Sequence, residues 1–202
     1  MNKLLLFILF FPLAAIAADL YEGAVTLSNG TIKTGLIEIP KFNDKKLKFR
    51  AAKKSDVEKL SVENVKSFYI INEDKVRFEY ITLKLAEMQA FSKKFKIEDT
   101  KSWVRIESAG TVNIVTAYYY GASGSGYVYY LHKPWEDHCY FLSVFYGGAT
   151  VTVGYFKSLK ELVSRIFKDD CPALANAMTK EALKEKSLFL VQELHAQLCP
   201  SQ

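Results

Sequence analysis

Asn29-Gly30 stands between "EGAVTLS" and "TIKTGLIEI", two runs rich in β-favouring residues. A two-residue Asn-Gly connection is the strongest short-range hairpin signal, because both central residues of a type I′ turn need positive φ. The predicted strands are Gly23–Leu27 and Thr31–Ile39. "KLKFR" (Lys46–Arg50) alternates as a third. "VEKLSVENVKSFYI" reads as a short strand, a tight turn at 61–64 and a strand over Val65–Ile71. A polar turn at Asn72–Lys75 precedes a strand over Val76–Leu83. So many short strands so close together predict a small closed or half-closed barrel over residues 18–83. Aromatic residues make up 14% of the chain, which suits a strand-rich core.

Beyond this module, residues 84–101 combine helix formers with a weak apolar face and read as a connector. Residues 102–202 then read as an antiparallel meander packed by C-terminal helices. Its predicted strands are Trp103–Ile106, Val112–Tyr120, Gly126–His132, Cys139–Tyr146 and Ala149–Phe156. Ser158 and Glu161 have capping-box spacing. Leu159, Leu162, Val163, Ile166 and Phe167 then recur on one helical face. Pro172 suits the first turn of a short helix. Leu183, Ser187, Leu190, Val191, Leu194 and Leu198 form a second stripe, read as core packing. The expected class is α+β, mostly β: an N-terminal small barrel followed by a helix-packed meander.

The N-terminus predicts export. Lys3, the uncharged run Leu4–Leu13 and Ala15-Ile16-Ala17 have the form of a secretory signal peptide over residues 1–17, with the mature chain beginning at Ala18 or Asp19. The run falls short of the roughly 20 apolar residues a bilayer span needs, and no later segment is apolar enough. The expected location is the periplasm or the exterior.

"GAVTLSNGTIKTGLIEI", "KLKFR" and "VEKLSVENVKSFYI" together resemble the opening of a group of uncharacterised exported bacterial proteins. In that group an opening strand, an NG or DG turn, a G-x-I strand and a later V-x-S strand form an SH3-like or PRC-barrel-like module. The likeness extends to "YFKSLKELVSRIFKDDCPAL". It implies an exported protein and brings no catalytic residues.

Three places could carry chemistry. "YYYGASGSGYVYY" (118–130) holds Gly121, Gly124 and Gly126 between tyrosines. A phosphate-cradling loop should open a helix, whereas a strand follows here, no GK[ST] is present and the spacing is not the dinucleotide fingerprint. The segment reads as a hairpin with its tip at 121–126. Tyr118, Tyr120, Tyr127 and Tyr129 then offer a platform for stacking a sugar or base, against the plainer reading of sheet packing. "LHKPWEDHCYF" supplies His132, Glu136, Asp137, His138 and Cys139. His132, Asp137 and His138 are the candidate metal set, although the segment also makes a good turn by itself. His138 and Cys139 are adjacent, so in a strand they face opposite ways and form no nucleophile–base pair.

The third place is the cysteines. Export makes a disulfide reasonable. Cys139, Cys171 and Cys199 allow three pairings with one thiol left over. Cys171–Cys199, flanking the last helical segment, is preferred, and Cys139 reads as a buried thiol. An unbroken helix over 180–198 would span about 28 Å and hold the preferred pair apart.

The chain carries a formal charge of +5. Lys41, Lys45, Lys46, Lys48, Arg50, Lys53, Lys54 and Lys59 crowd residues 38–59, against Glu38, Asp44, Asp56 and Glu58. The plain reading is a solvated strand face whose lysines block edge pairing. The other is attraction to an anionic glycan or lipid surface. Export disfavours nucleic acid. No Ser-His-Asp pattern, paired-carboxylate motif, HExxH or P-loop is present, and no cofactor is expected. The leading expectation is an envelope-associated binding or structural protein rather than an enzyme. The alternatives are a metal-binding protein or hydrolase near His132–Cys139 and a glycan binder using the tyrosines.

Overall fold

The computed structural model describes residues 19–89, 92, 94–121, 124–146 and 154–199, with the backbone alone for 119–121, 124–125 and 145–146. The predicted leader lies outside them. β1 (Leu20–Leu27), β2 (Ile32–Glu38), β3 (Lys46–Arg50), β4 (Glu58–Ser61) and β5 (Val65–Ile71) come first. β6 (Arg77–Met88), β7 (Phe95–Ser108), β8 (Asn113–Gly121), β9 (Gly124–His132) and β10 (His138–Tyr146) follow. The helices are α1 (Tyr155–Ile166), α2 (Ala173–Ala177), α3 (Lys180–Lys186) and α4 (Phe189–Leu198).

The strands form one sheet in the order β10-β9-β8-β7-β6-β5-β1-β2-β3-β4, and β10 also pairs with β6. That last pairing closes β6–β10 into a five-stranded barrel. It is parallel, joining His138, Cys139 and Tyr140 to Lys84, Leu85 and Ala86. Parity explains the direction: in an up-and-down meander of five strands, the first and last run the same way. β6 is long enough to serve two neighbours along one edge. Its first half, Arg77–Ile81, pairs with β5, and its second half with β10. The β6–β7 register shifts between Lys84 and Ala86, a bulge-like irregularity of the kind that bends a strand.

The closed barrel is thus built from β6–β10 and not from residues 18–83 alone. The predicted connector at 84–101 is the end of β6 and the start of β7, paired through Ala86–Ile97, Glu87–Lys96 and Met88–Phe95. Met88 and Ile97 are partly exposed, so this hairpin shows little apolar alternation, and strand pairing overrides its helix formers. β1–β5 continue the sheet with their own core. β5 returns to pair with β1, and β4 pairs with β3 alone among the described residues. Gly23 and Gly35 face each other across β1 and β2. A Cβ at Gly23 would lie 2.0 Å from the Tyr69 carbonyl oxygen of β5, and one at Gly35 2.2 Å from the Arg50 carbonyl oxygen of β3, so glycine lets β1 and β2 approach those outer neighbours.

The first hairpin differs from the predicted type I′ turn. Gly30 has φ 86°, but Asn29 is not among the positive-φ residues. Leu27 N–H donates to Thr31 O, Gly30 N–H to Leu27 O, and Thr31 N–H to Asn29 Oδ1. This is a three-residue loop, a type I turn followed by a left-handed glycine.

Both faces of β6 and β7 are buried for part of their length. Trp103 joins Val25, Ile37, Phe68 and Ile70 in the N-terminal core. Leu83, Leu85, Val104, Val115, Val128, Tyr130 and Cys139 fill the barrel. A third core lies between the barrel wall and the helices, where Ile114, Leu131 and Leu142 meet Leu159, Leu162, Val163, Phe167 and Leu190.

α1 begins earlier than the capping box predicts. Tyr155 and Phe156 are helical rather than extended, Gly154 is the N-cap, and Ser158 N–H donates to Gly154 O inside the first turn. Tyr155 and Phe156 gain burial against the helical core this way. The rest of the predicted fifth strand, 149–153, lies outside the described residues.

The final predicted helix breaks at Ser187, which has φ 53°. The break turns Leu188, Leu190 and Val191 inward and allows a disulfide between Cys171 and Cys199. Thr179 caps α3, its Oγ1 accepting from Ala182 N–H.

Lys133, in the β9–β10 turn, fastens the barrel to the helices. Only 4% of the residue is exposed. Its Nζ donates to Ile166 O at 2.9 Å and lies 2.7 Å from Asp170 Oδ2 and 3.4 Å from Glu136 Oε1. It therefore satisfies a free carbonyl at the C-terminus of α1, where a cation also opposes the helix dipole.

Candidate functional site

β8 and β9 form the predicted tyrosine hairpin, with Tyr118 opposite Tyr127, Tyr120 opposite Ser125 and Gly121 opposite Gly124. Gly124, Ser125 and Gly126 therefore belong to β9 rather than to the tip, and residues 122–123 lie outside the description. No helix opens at these glycines, so the arrangement has no helix N-terminus to hold a phosphate.

Strand alternation sends Ala117, Val128 and Tyr130 into the barrel and Tyr118 and Tyr127 outward. The two outward rings meet edge to face, with centroids 5.2 Å apart. They stay 51% and 40% exposed, in a chain that buries most of its large apolar groups. Tyr129 is turned instead toward the helical core. Tyr120 is described by its backbone alone.

Tyr118 and Tyr127 line one wall of a groove of about 910 Å³ at the junction of the N-terminal strands and the barrel. The β2–β3 connection, Ile39–Asp44, also lines it, with Tyr21, Ile70 and Asn72. Phe78, Tyr80, Trp103 and Arg105, from the outer face of β6 and β7, form the floor. The connection is fixed in place. Lys41 N–H donates to Asp44 Oδ2 at 2.9 Å, Asp44 N–H to Lys41 O at 3.0 Å, and Trp103 Nε1–H to Asp44 O at 2.7 Å. Phe42 packs against the barrel core.

Arg105 lies with its guanidinium 5.3 Å from the Phe78 ring centroid and 5.6 Å from that of Tyr127, and it pairs with Glu107. A guanidinium has five N–H donors, more than this one carboxylate uses. Burial raises the Tyr80 phenol above its ordinary range, although Arg105 acts against it. Burial likewise raises Tyr129. Both are therefore neutral donors at physiological pH. The groove offers aromatic faces together with Lys41, Asn43 and Arg105, a combination that holds a ring-shaped, hydroxylated ligand by stacking and hydrogen bonds.

Of the predicted metal residues, Asp137 and His138 touch at 3.3 Å, but the three do not form one group. Among the described residues no three His, Cys, Asp or Glu side chains form a metal-holding group. His132 is buried. Its Nδ1 lies 3.3 Å from Asn113 Nδ2, and its Nε2 3.2 Å from the Glu136 carbonyl oxygen. A carbonyl only accepts, so Nε2 carries the proton. Burial lowers the His132 pKa, with the Glu136 carbonyl opposing.

His138, by contrast, lies beside Tyr140, Glu136 and Asp137. Asp137 is spent on closing the barrel: its carboxylate meets Lys84 at 2.9 Å, and its carbonyl accepts from Lys84 N–H. The Lys84 hydrogen bond, then that of His138, holds its carboxyl below the usual range. Cys139 faces the barrel core, where burial pushes the thiol well above its ordinary pKa, and its Sγ donates to Lys84 O at 3.7 Å. A buried, protonated thiol is inert as a nucleophile.

Sequence reasoning finds the two exposed tyrosines but misses Tyr21, Phe42, Phe78, Tyr80 and Arg105. Each reads locally as an ordinary strand or turn residue, and only the sheet order assembles them. Comparison with protein-family models, curated proteins and solved structures finds no match in any of the three.

Proposed function

We propose that this chain is an exported binding protein that holds a saccharide in the groove beside Tyr118 and Tyr127. The observation that carries this reading is the pair of exposed rings forming one wall of a built cavity, with charged and amide side chains around it. A saccharide has an apolar ring face for the tyrosines and hydroxyls for Asn43 and Arg105. The volume falls within the range of small-ligand sites.

Export rests on the leader sequence, and the described residues contain no helix long and apolar enough to cross a membrane. A five-stranded N-terminal unit whose last strand returns to its first also supports the SH3-like reading. No arrangement near His132–Cys139 favours the hydrolase alternative.

A glycan array probed with the purified chain tests the proposal, followed by titration of the strongest glycan against Y118A and Y127A. Each variant should bind about tenfold more weakly, ~1.4 kcal/mol, with unchanged melting, because both side chains are largely exposed. An array without binding, or variants that bind like the parent, would remove the proposal.

A further inference from the structure

We infer that the β3–β4 hairpin is a docking face for an anionic phospholipid surface, distinct from the groove. β3 and β4 pair with Lys48 directly opposite Lys59. Like charges opposed across two strands destabilise a sheet, a cost that the Glu38 partner of Lys48 offsets. Leu47, Phe49 and Leu60 are core residues, and the strand period then fixes Lys46, Lys48 and Lys59 on the outer side.

Lys48 is neutralised by Glu38 at 2.8 Å, and Glu58 is taken by Lys33 at 2.6 Å. Lys46, Lys53, Lys54 and Lys59 are exposed and have no ion-pair partner among the described residues, leaving Asp56 as the acidic side chain between them. Protection of the β4 edge accounts for Lys59 but not for Lys46, Lys53 and Lys54.

The residue types select the partner. Lysines are mobile point charges that suit a diffuse negative surface, whereas bidentate phosphate recognition uses arginine. Arg50 is occupied, its Nη1 donating to Ser55 O at 2.7 Å. The aromatic residue between Lys46 and Ser61 is Phe49, which is buried, so this face has no stacking platform for single-stranded nucleic acid. The β3–β4 connection carries Lys53 and Lys54 in a turn closed by Ser55 N–H on Ala52 O, and its small, exposed Ala51 and Ala52 let a flat surface approach.

Co-sedimentation with vesicles of phosphatidylcholine, with and without phosphatidylglycerol, tests this. Each lysine should contribute about fivefold to binding at low salt. K46Q/K53Q/K54Q/K59Q should therefore bind phosphatidylglycerol vesicles more than about 100-fold more weakly, and high salt should release the parent. K157Q/K168Q/K180Q/K184Q, with the same loss of charge in the C-terminal helical region, should bind like the parent. Three results would overturn the inference: no sedimentation with phosphatidylglycerol, equal loss in both variants, or preference for single-stranded DNA over the vesicles.

Discussion

Replacing Lys133 by methionine should destabilise the fold by about 3–5 kcal/mol, the usual cost of removing one member of a buried ion pair. The lysine is nearly inaccessible and serves Asp170, Glu136 and the Ile166 carbonyl together. Methionine fills much of the volume beside Phe167 and Tyr140, so a cavity is not the source of the loss. The loss comes from two carboxylates left without their cation and a helix-terminal carbonyl left without its donor. Urea denaturation of K133M measures it, and the melting temperature should fall by roughly 2–4 °C per kcal/mol for a chain of this size. Adding D170N to K133M should recover part of the loss, since it removes one stranded charge. A change below about 1 kcal/mol in K133M would mean that the cluster is solvated and does not join barrel to helices.

The second large effect is at the disulfide. Cys171 and Cys199 are 28 residues apart in sequence. Cross-linking a loop of that length restricts the unfolded chain by an amount worth about 3.6 kcal/mol in the chain-entropy model. C171S/C199S should lose most of that. The loss should also be visible locally: α2, α3 and α4 should exchange amide hydrogens faster than the barrel strands, because the bridge ties the end of α4 to the segment preceding α2. C139S should not show this pattern, since Cys139 is a free thiol in the barrel core. Reduction that left stability and helix exchange unchanged would show the bridge to be incidental.

Local pattern identified the individual strands well where burial alternates cleanly. β3 and β5 have the predicted bounds, Lys46–Arg50 and Val65–Ile71, because one face of each is core. The β6–β7 hairpin was not legible, because its far end is largely exposed apart from Phe95 and its residues favour a helix. Nor was the barrel closure. A pairing between β6 and β10 spans more than fifty residues and depends on β6 being long enough to leave β5 and meet a second strand. No local signal records that reach.

The break at Ser187 was equally hidden, since serine seldom adopts positive φ. Yet it is what brings the chain end back to Cys171. The groove follows the same logic. Tyr118 and Tyr127 were visible as alternating tyrosines, but Tyr21, Phe42, Phe78 and Arg105 join them only through the folded order of the sheet.

The most direct test of the account is a map of where a ligand touches the protein. Backbone and side-chain NMR shifts, followed while the strongest array glycan is titrated in, should change at Tyr21, Phe42, Asn72, Arg105, Tyr118 and Tyr127, with the helices unaffected. Shifts centred on His132–Cys139, or on the helical face, would contradict the groove as the binding site.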